Sequence, residues 1–373
     1  MKRDRVAVAM SGGVDSSTAA AILKEQGYDV VGFSMQLYDQ RRNTAAEDVR
    51  RFGRCCALDD MYDARQVAAR LAIPHYIVNF EREFESTVVQ SFVEDYRNGL
   101  TPSPCVLCNS RMKFDHLMRL AQDVDAGYVA TGHYARVAYD EETGRTLLLK
   151  GLDHDKDQSY FLFELKQEQL SSAMFPLGGM AKTEVRRIAR QYALEVADKR
   201  DSQEICFVSD GDYASFVEKA LREAGTPEES LAGEIVGPGG EVVGAHGGVH
   251  RYTIGQRRGL GVAHGSPLYV IDLDPGKKLV VVGDRSRLAR KCFRAERANW
   301  IAIPEPDKVL RADVKIRSRH AEAPASITPL GGGTVRVDFD TPQFAVTPGQ
   351  AAVFYRDELV IGGAWITREP RSN

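Results

Sequence analysis

A chain of 373 residues, 43% hydrophobic and 27% charged, is long enough for two or three globular domains. Its net charge of −3 excludes a uniformly basic nucleic-acid binder, and no apolar stretch approaches the length of a membrane span. The start, Met1-Lys2-Arg3-Asp4-Arg5, runs into a first strand without the apolar core of a signal peptide, so a cytoplasmic protein is expected.

The apolar residues 6–10 read as a buried parallel strand, and residues 18–26 as a helix stopped by Gly27. Between them lies Ser11-Gly12-Gly13-Val14-Asp15-Ser16-Ser17. The glycines allow a tight turn whose N–H groups converge with the positive end of the helix, and Ser11, Ser16 and Ser17 add hydroxyls. Such a strand–loop–helix unit is suited to phosphate. It is not the common phosphate loop, because no Gly-Lys-Ser/Thr follows the glycines.

A strand at 30–35, a helix from about Asp60 and a strand at 75–80 come next. That helix buries Ala64, Val67, Ala68 and Leu71, spaced i, i+3, i+4, i+7. A helix at 83–97 leads to a cysteine loop, and a strand at 128–131 ends at Gly132-His133. The alternation implies an α/β class with a parallel sheet, whose ligands bind at strand carboxyl ends, where Ser11, Met35 and Gly132 fall. A helical region is expected to continue to about Leu194, with Val185, Ile188, Ala189 and Tyr192 on one face.

From Gly233 the chain turns glycine-rich, with short strands at 268–271 and 279–282. From about Phe293 the period is two: Val335, Val337 and Phe339 alternate with Arg336, Asp338 and Asp340. The expected organisation is a parallel-sheet domain over 1–215, a small β-rich domain over 216–292 and a β-barrel over 293–373. Between Arg285 and Arg319 stand eleven Lys or Arg against four Asp or Glu, a local basic surface suited to RNA phosphates.

Six cysteines in a cytoplasmic chain do not make a disulfide framework. Cys55-Cys56 is a vicinal pair, Cys105 and Cys108 form a C-x-x-C, and Cys206 and Cys292 stand alone. Cys105 and Cys108 lie in the proline-stiffened Thr101-Pro102-Ser103-Pro104-Cys105-Val106-Leu107-Cys108-Asn109, ahead of a helix with the face Met112, His116 and Leu120. Helix amides just beyond Cys108 would favour its thiolate. Cys206 sits in Asp201-Ser202-Gln203-Glu204-Ile205-Cys206-Phe207, and any meeting with Cys108 is tertiary. Two buried structural cysteines are the plainer reading.

The loop resembles the SGGxDS signature of the PP-loop ATP pyrophosphatases, which grip the pyrophosphate of ATP and transfer AMP to a carbonyl or amide oxygen. With the cysteines added, nearly the whole chain resembles one family, the tRNA-specific 2-thiouridylases. The matching pieces are Met10 to Ser17, Pro104 with Cys108-Asn109 and Lys113-Phe114, Thr131-Gly132-His133-Tyr134, and Lys156-Asp157-Gln158-Ser159-Tyr160-Phe161-Leu162. They continue through Ile205-Cys206-Phe207, Tyr252-Thr253-Ile254-Gly255-Gln256-Arg257-Arg258-Gly259-Leu260-Gly261 and Thr347-Pro348-Gly349-Gln350.

The resemblance implies a PP-loop domain of the adenine nucleotide alpha hydrolase type, then a small β domain and a C-terminal β-barrel. It implies ATP with Mg²⁺, held by Ala9, Met10, Ser11, Gly12, Gly13, Val14, Asp15, Ser16, Met35 and Gly132. Cys108 would be the nucleophile and Cys206 the persulfide carrier. Ser103, Pro104, Cys105, His133, Lys156, Asp157, Gln158, Arg317, Ser318 and Gln350 resemble tRNA-contacting positions. The implied reaction adenylates the C2 oxygen of the wobble uridine in tRNAs of the Lys, Glu and Gln type. Sulfur then displaces AMP, with a cysteine desulfurase or a sulfur-carrier protein as donor and a monomeric enzyme.

One position departs from the pattern. Many relatives place an aspartate where this chain has Cys105, so Cys105, Cys108 and Cys206 could instead hold an iron–sulfur cluster. Zinc on the same ligands would silence the nucleophile. Two rival readings stand beside these: an amide-forming or amination enzyme acting on a small metabolite, and a non-catalytic tRNA-binding or metal-sensing module.

Overall fold

The computed structural model describes residues 4–38, 56–201, 205–208, 211–227 and 230–368. Cys55 and residues 202–204 of the second cysteine motif lie outside them.

The strands β1 (Arg5–Ala9), β2 (Asp29–Gln36), β3 (His75–Asn79), β4 (Tyr128–Ala130) and β7 (Ala173–Met174) form a parallel sheet in the order β3-β2-β1-β4-β7. Strand β1 is inner and covered on both faces, which is why it is a continuous apolar run. Val6 and Val8 point to one side, among Ala20, Ala21 and Leu23 of α1 (Val14–Glu25), Ala64, Val67 and Ala68 of α2 (Cys56–Arg70), and Leu71 just past its end. Ala7 points to the other, with Phe114, Leu117 and Ala121 of α4, the helical run over 104–123 that follows α3 (Gln90–Arg97). The expected apolar face of α2 is therefore buried as read.

Helix α1 starts at Val14, four residues earlier than the hydrophobic pattern suggests, with Gly13 extended ahead of it. The turn finishes early because Gly12 takes φ +71°, and a Cβ there would lie 1.9 Å from the carbonyl oxygen of Asp60. Asp15, Ser16 and Ser17 thus belong to the first helical turn.

The expectation of an unbroken helical region after Gly132 is wrong. Strands β5 (Ala135–Asp140) and β6 (Arg145–Lys150) form a hairpin across 135–150. Its turn is closed by the Thr143 hydroxyl donating to Asp140 (2.7 Å) and by Gly144 at φ +64°. Helices resume only at α5 (Gln167–Ser171) and α6 (Lys182–Gln191), where Val185 and Ala189 are buried as expected.

A second sheet holds β8 (Gly233–Val236), β9 (Val242–His246), β10 (Tyr269–Asp274) and β11 (Leu279–Gly283) in the order β10-β11-β8-β9. The six strands β12 (Ala289–Trp300), β13 (Leu310–Lys315), β14 (Ala323–Gly331), β15 (Thr334–Phe344), β16 (Ala351–Arg356) and β17 (Leu359–Ile366) make an antiparallel barrel that closes where β17 returns to β12. Val335, Val337 and Phe339 fill it, as the period of two requires. The other end of β17 pairs with β6, Leu359 opposite Leu149, so the α/β unit lends a hairpin to the barrel sheet. No helix among the described residues is long and apolar enough to cross a membrane.

Candidate active site

Ser11, Met35 and Gly132 all lie at carboxyl ends of the parallel strands. Met10 links the first two, its N–H bonding to Phe33 and its carbonyl accepting the Ser34 hydroxyl (2.6 Å). Ser16 Oγ accepts the Ser11 amide (3.1 Å) and lies 3.2 Å from Ser11 Oγ, fixing the loop against the helix start. Gly132 presses on the first turn of α1: a Cβ there would sit 2.7 Å from the Ser16 nitrogen. Ser17 Oγ is buried and has no hydrogen-bond partner among the described residues.

The lysine missing from the loop sequence is supplied from elsewhere in the chain. Lys182, the first residue of α6, donates to both carboxylate oxygens of Asp15 (2.7 and 2.8 Å) and pairs with Asp201 (2.8 Å). Tyr134 Oη donates to Asp15 as well (2.8 Å), and burial followed by the Asp15 charge pushes that phenol far above its usual pKa. Lys199 donates to the Gly12 carbonyl (3.1 Å) and pairs with Asp60 (2.6 Å) and Asp63. Asp201 also takes Lys156 (2.8 Å) and Arg186 (3.1 Å). Burial works against its charge, yet Lys156 and Lys182 together keep its carboxyl below the usual range.

First-turn amides, serine hydroxyls and two lysines form a donor set that suits a polyphosphate. The sequence pattern missed Lys182, Lys199 and the anchoring role of Asp201, whose signals were only a helix start and a charge run. Asp15, read as an organiser of Mg²⁺, is engaged by Lys182 and Tyr134, so its first task here is to aim Lys182.

The cysteines require one correction. The helical run over 104–123 begins with Pro104 as its first residue and Ser103 ahead of it, so Cys105 occupies the first turn and Cys108 lies beyond it. The Cys108 amide is already bonded to Pro104, and its side chain is buried where the helix widens over Cys108–Phe114. Desolvation pushes the Cys108 thiol up; the Lys113 cation opposes this and Cys105 adds to it. The helix start therefore does not deliver the lowered pKa expected from sequence.

Phe207 packs with Cys108 in one core cluster, and Ile205 packs against it, which brings Cys206 to the C-x-x-C helix. Cys206 lies at the surface. Desolvation by the surrounding chain, then the Cys108 and Cys105 charges, raises its thiol too. Cys105 and Cys108 are likewise thiols, and no group of three His, Cys, Asp or Glu among the described residues is arranged to hold a metal ion.

Several positions nominated for tRNA spend their polar atoms inside the protein. Asp157 accepts the amides of Gly151 (3.0 Å) and Ser159 (3.1 Å) and the Ser159 hydroxyl (2.9 Å). Gln158 Oε1 accepts the Tyr134 amide (3.0 Å). Gln350 Nε2 donates to the carbonyls of Thr101 and Pro102, both at 3.0 Å. His133 is buried, 2.7 Å from the Thr131 hydroxyl, and desolvation, then Lys113, keeps its imidazole neutral. Lys156 is held by Asp201, and Ser103 and Pro104 are buried at the helix start. Cys105 and Ser318 remain exposed, and Arg317 is half-buried, 3.3 Å from the Phe344 carbonyl.

Family models match the chain in three blocks. They are a tRNA methyl transferase HUP domain over 4–210, a tRNA methyl transferase PRC-barrel domain over 219–284 and an aminomethyltransferase beta-barrel domain over 290–366. The tRNA-specific 2-thiouridylase MnmA of Koribacter versatilis is 53% identical, covering 98% of this chain and 99% of its own length. That of Solibacter usitatus is 54% identical over 98% of this chain and 100% of its own. A solved 4-thiouridine synthetase–RNA complex with bound ATP is a slight likeness that carries no argument: 15% identity and TM-score 0.34 over 60% of this chain and 53% of that one. On the identity and coverage of the relatives, the chain belongs to the tRNA-specific 2-thiouridylase family.

Proposed function

We propose that this protein is a tRNA-uridine 2-sulfurtransferase that uses ATP to replace the C2 oxygen of the wobble uridine with sulfur. The observation that carries this is the pairing of a lysine-lined phosphate cradle with Cys108 and Cys206 on a common α/β scaffold. An amide-forming enzyme would use the cradle and leave the two cysteines idle.

The C2 oxygen attacks the α-phosphorus of ATP, forming an adenylated uridine and releasing pyrophosphate. Mg²⁺ travels with the nucleotide, and Lys182 and Lys199 offset charge on the departing pyrophosphate. The uridine must leave its stack to be reached. Sulfur arrives as a Cys206 persulfide, loaded by a cysteine desulfurase or a carrier protein. In one order the terminal sulfur attacks C2 and AMP leaves, after which the Cys108 thiolate attacks Cys206 Sγ, freeing the thiouridine and forming a disulfide. In the other, Cys108 attacks the persulfide first and the released sulfide attacks C2. Either way one disulfide forms per turnover and needs two electrons from a thiol reductant.

Full-length protein, tRNA of the Lys, Glu or Gln type, ATP and a desulfurase with cysteine should yield 2-thiouridine, AMP and pyrophosphate in equal amounts. ADP in place of AMP, or thiolation that persists in Cys206→Ser, would defeat the reading.

A further inference from the structure

Where the small β-sheet meets the barrel lies a cavity of about 220 Å³ that the sulfur chemistry does not use. Its floor is apolar, with Ile271, Leu288 and Ala345 packed as one cluster. Arg287, Arg290 and Arg368 stand around it, and Asp272 is the single carboxylate in its lining. That carboxylate already accepts the Leu273 amide (2.8 Å). Arg368 is fixed by the carbonyls of Asn98 (3.3 Å) and Gly99 (3.0 Å).

Arg287 and Arg290 differ from Arg311 and Arg336 of the barrel. Arg311 is paired with Asp340 and Arg336 with Asp338. Among the described residues, Arg287 and Arg290 make no ion pair and no side-chain hydrogen bond, and both are exposed. Two unpaired guanidinium forks above an apolar floor match a phosphodiester with its ribose. The space falls short of the roughly 300 Å³ at which pockets for whole small-molecule ligands begin, and it matches one phosphate with its ribose better than a complete nucleoside triphosphate. The positive charge continues past the cavity along β12 through exposed Lys291 and Arg294, as a chain of phosphates requires and a lone anion does not.

We propose that this seam grips one backbone phosphate of the tRNA through Arg287 and Arg290, as an anchorage separate from the cysteine site. The inference rests on the reading of tRNA as substrate.

Binding of full-length protein to unmodified tRNA, followed by fluorescence anisotropy between about 50 and 300 mM salt, tests it. The double variant Arg287→Ala/Arg290→Ala should bind about 5- to 30-fold more weakly at the low end. Its log–log salt slope should be shallower by about one to two contacts' worth. Arg287→Lys/Arg290→Lys, which keeps the charge, should restore most of the slope and so separates lost charge from lost fold. Unchanged affinity and slope in the alanine variant, with wild type binding normally, would overturn the seam site alone. Competition by micromolar AMP or pyrophosphate in wild type that disappears in the alanine variant would make the occupant a free anion and overturn it too. Wild-type protein that does not bind tRNA at all would defeat the substrate reading and the seam with it.

Discussion

Asp15 and Lys182 are 167 residues apart in sequence and joined by two hydrogen bonds at the mouth of the phosphate loop. The loop was legible in the sequence because its donors are contiguous. Lys182 was not, because no local pattern says that the first residue of α6 will reach α1. Lys182→Ala should raise the KM for ATP about 10- to 100-fold, the loss of one or two charge-assisted contacts. Its affinity for tRNA should stay at wild-type level. Release of AMP against ATP concentration reads the first effect, and an unchanged KM would remove Lys182 from the phosphate site. Cys108 shows the opposite failure, since its place in the C-x-x-C helix was legible and its electrostatics were not. With the thiol raised by burial, alkylation of Cys108 by iodoacetamide should keep rising with pH beyond the range of an ordinary thiol. Lys113 opposes that shift, so Lys113→Met should displace the profile to still higher pH, and a displacement to lower pH would contradict the assigned cause.

Elements outside the α/β unit hold the helix that carries the cysteines. Gln350, just before β16, bonds the carbonyls of Thr101 and Pro102, and the Thr101 amide returns to the Pro348 carbonyl. Glu164 accepts the Ser110 hydroxyl (2.7 Å) on one oxygen and the Trp365 indole N–H (3.0 Å) of β17 on the other. Gln350→Ala should therefore cost about 1–3 kcal/mol of stability, two hydrogen bonds to a part-buried loop. It should lower thiolation more than ATP binding, because the proline loop before Cys105 loses its support. Urea midpoints and parallel kinetics check both, and a proportional loss of ATP binding would mean a general defect instead. The β5–β6 hairpin belongs to the same system. Its turn at 140–144 fell inside the expected helical region and went unread, and its β17 partner lies about two hundred residues later, where a window-based reading has no access to the pairing. Strand β15 was easier, since it shows its buried face in its own alternation, whereas β16 and β17 are buried almost throughout and carry no such period.

At the scale of the whole molecule, the α/β unit and the barrel share charge as well as strands. Asp95, on the helix Gln90–Arg97, is part-buried, and desolvation raises its carboxyl to about 6 despite the pull of Arg297 from β12. Arg297 in turn lies over the Trp365 ring, 5.0 Å from its centre. A carboxyl whose folded pKa lies above its unfolded value of 3.8 holds its proton longer in the folded state. Stability must then fall as pH rises through that window, because the unfolded chain gives up the proton first. The contribution is complete below about pH 4, declines between about 4 and 6, and is gone above. Asp95→Asn keeps the neutral shape without the titration. Its unfolding free energy, read from urea titration, should match wild type near pH 4 and exceed it at pH 7.5, by at most about 3 kcal/mol and less where water reaches the carboxylate. A gap that stays constant with pH would mean that Asp95 is not the titrating group. A gap that opens the other way would mean that the Arg297 attraction outweighs burial, and that the seam between α/β unit and barrel is held by an ion pair.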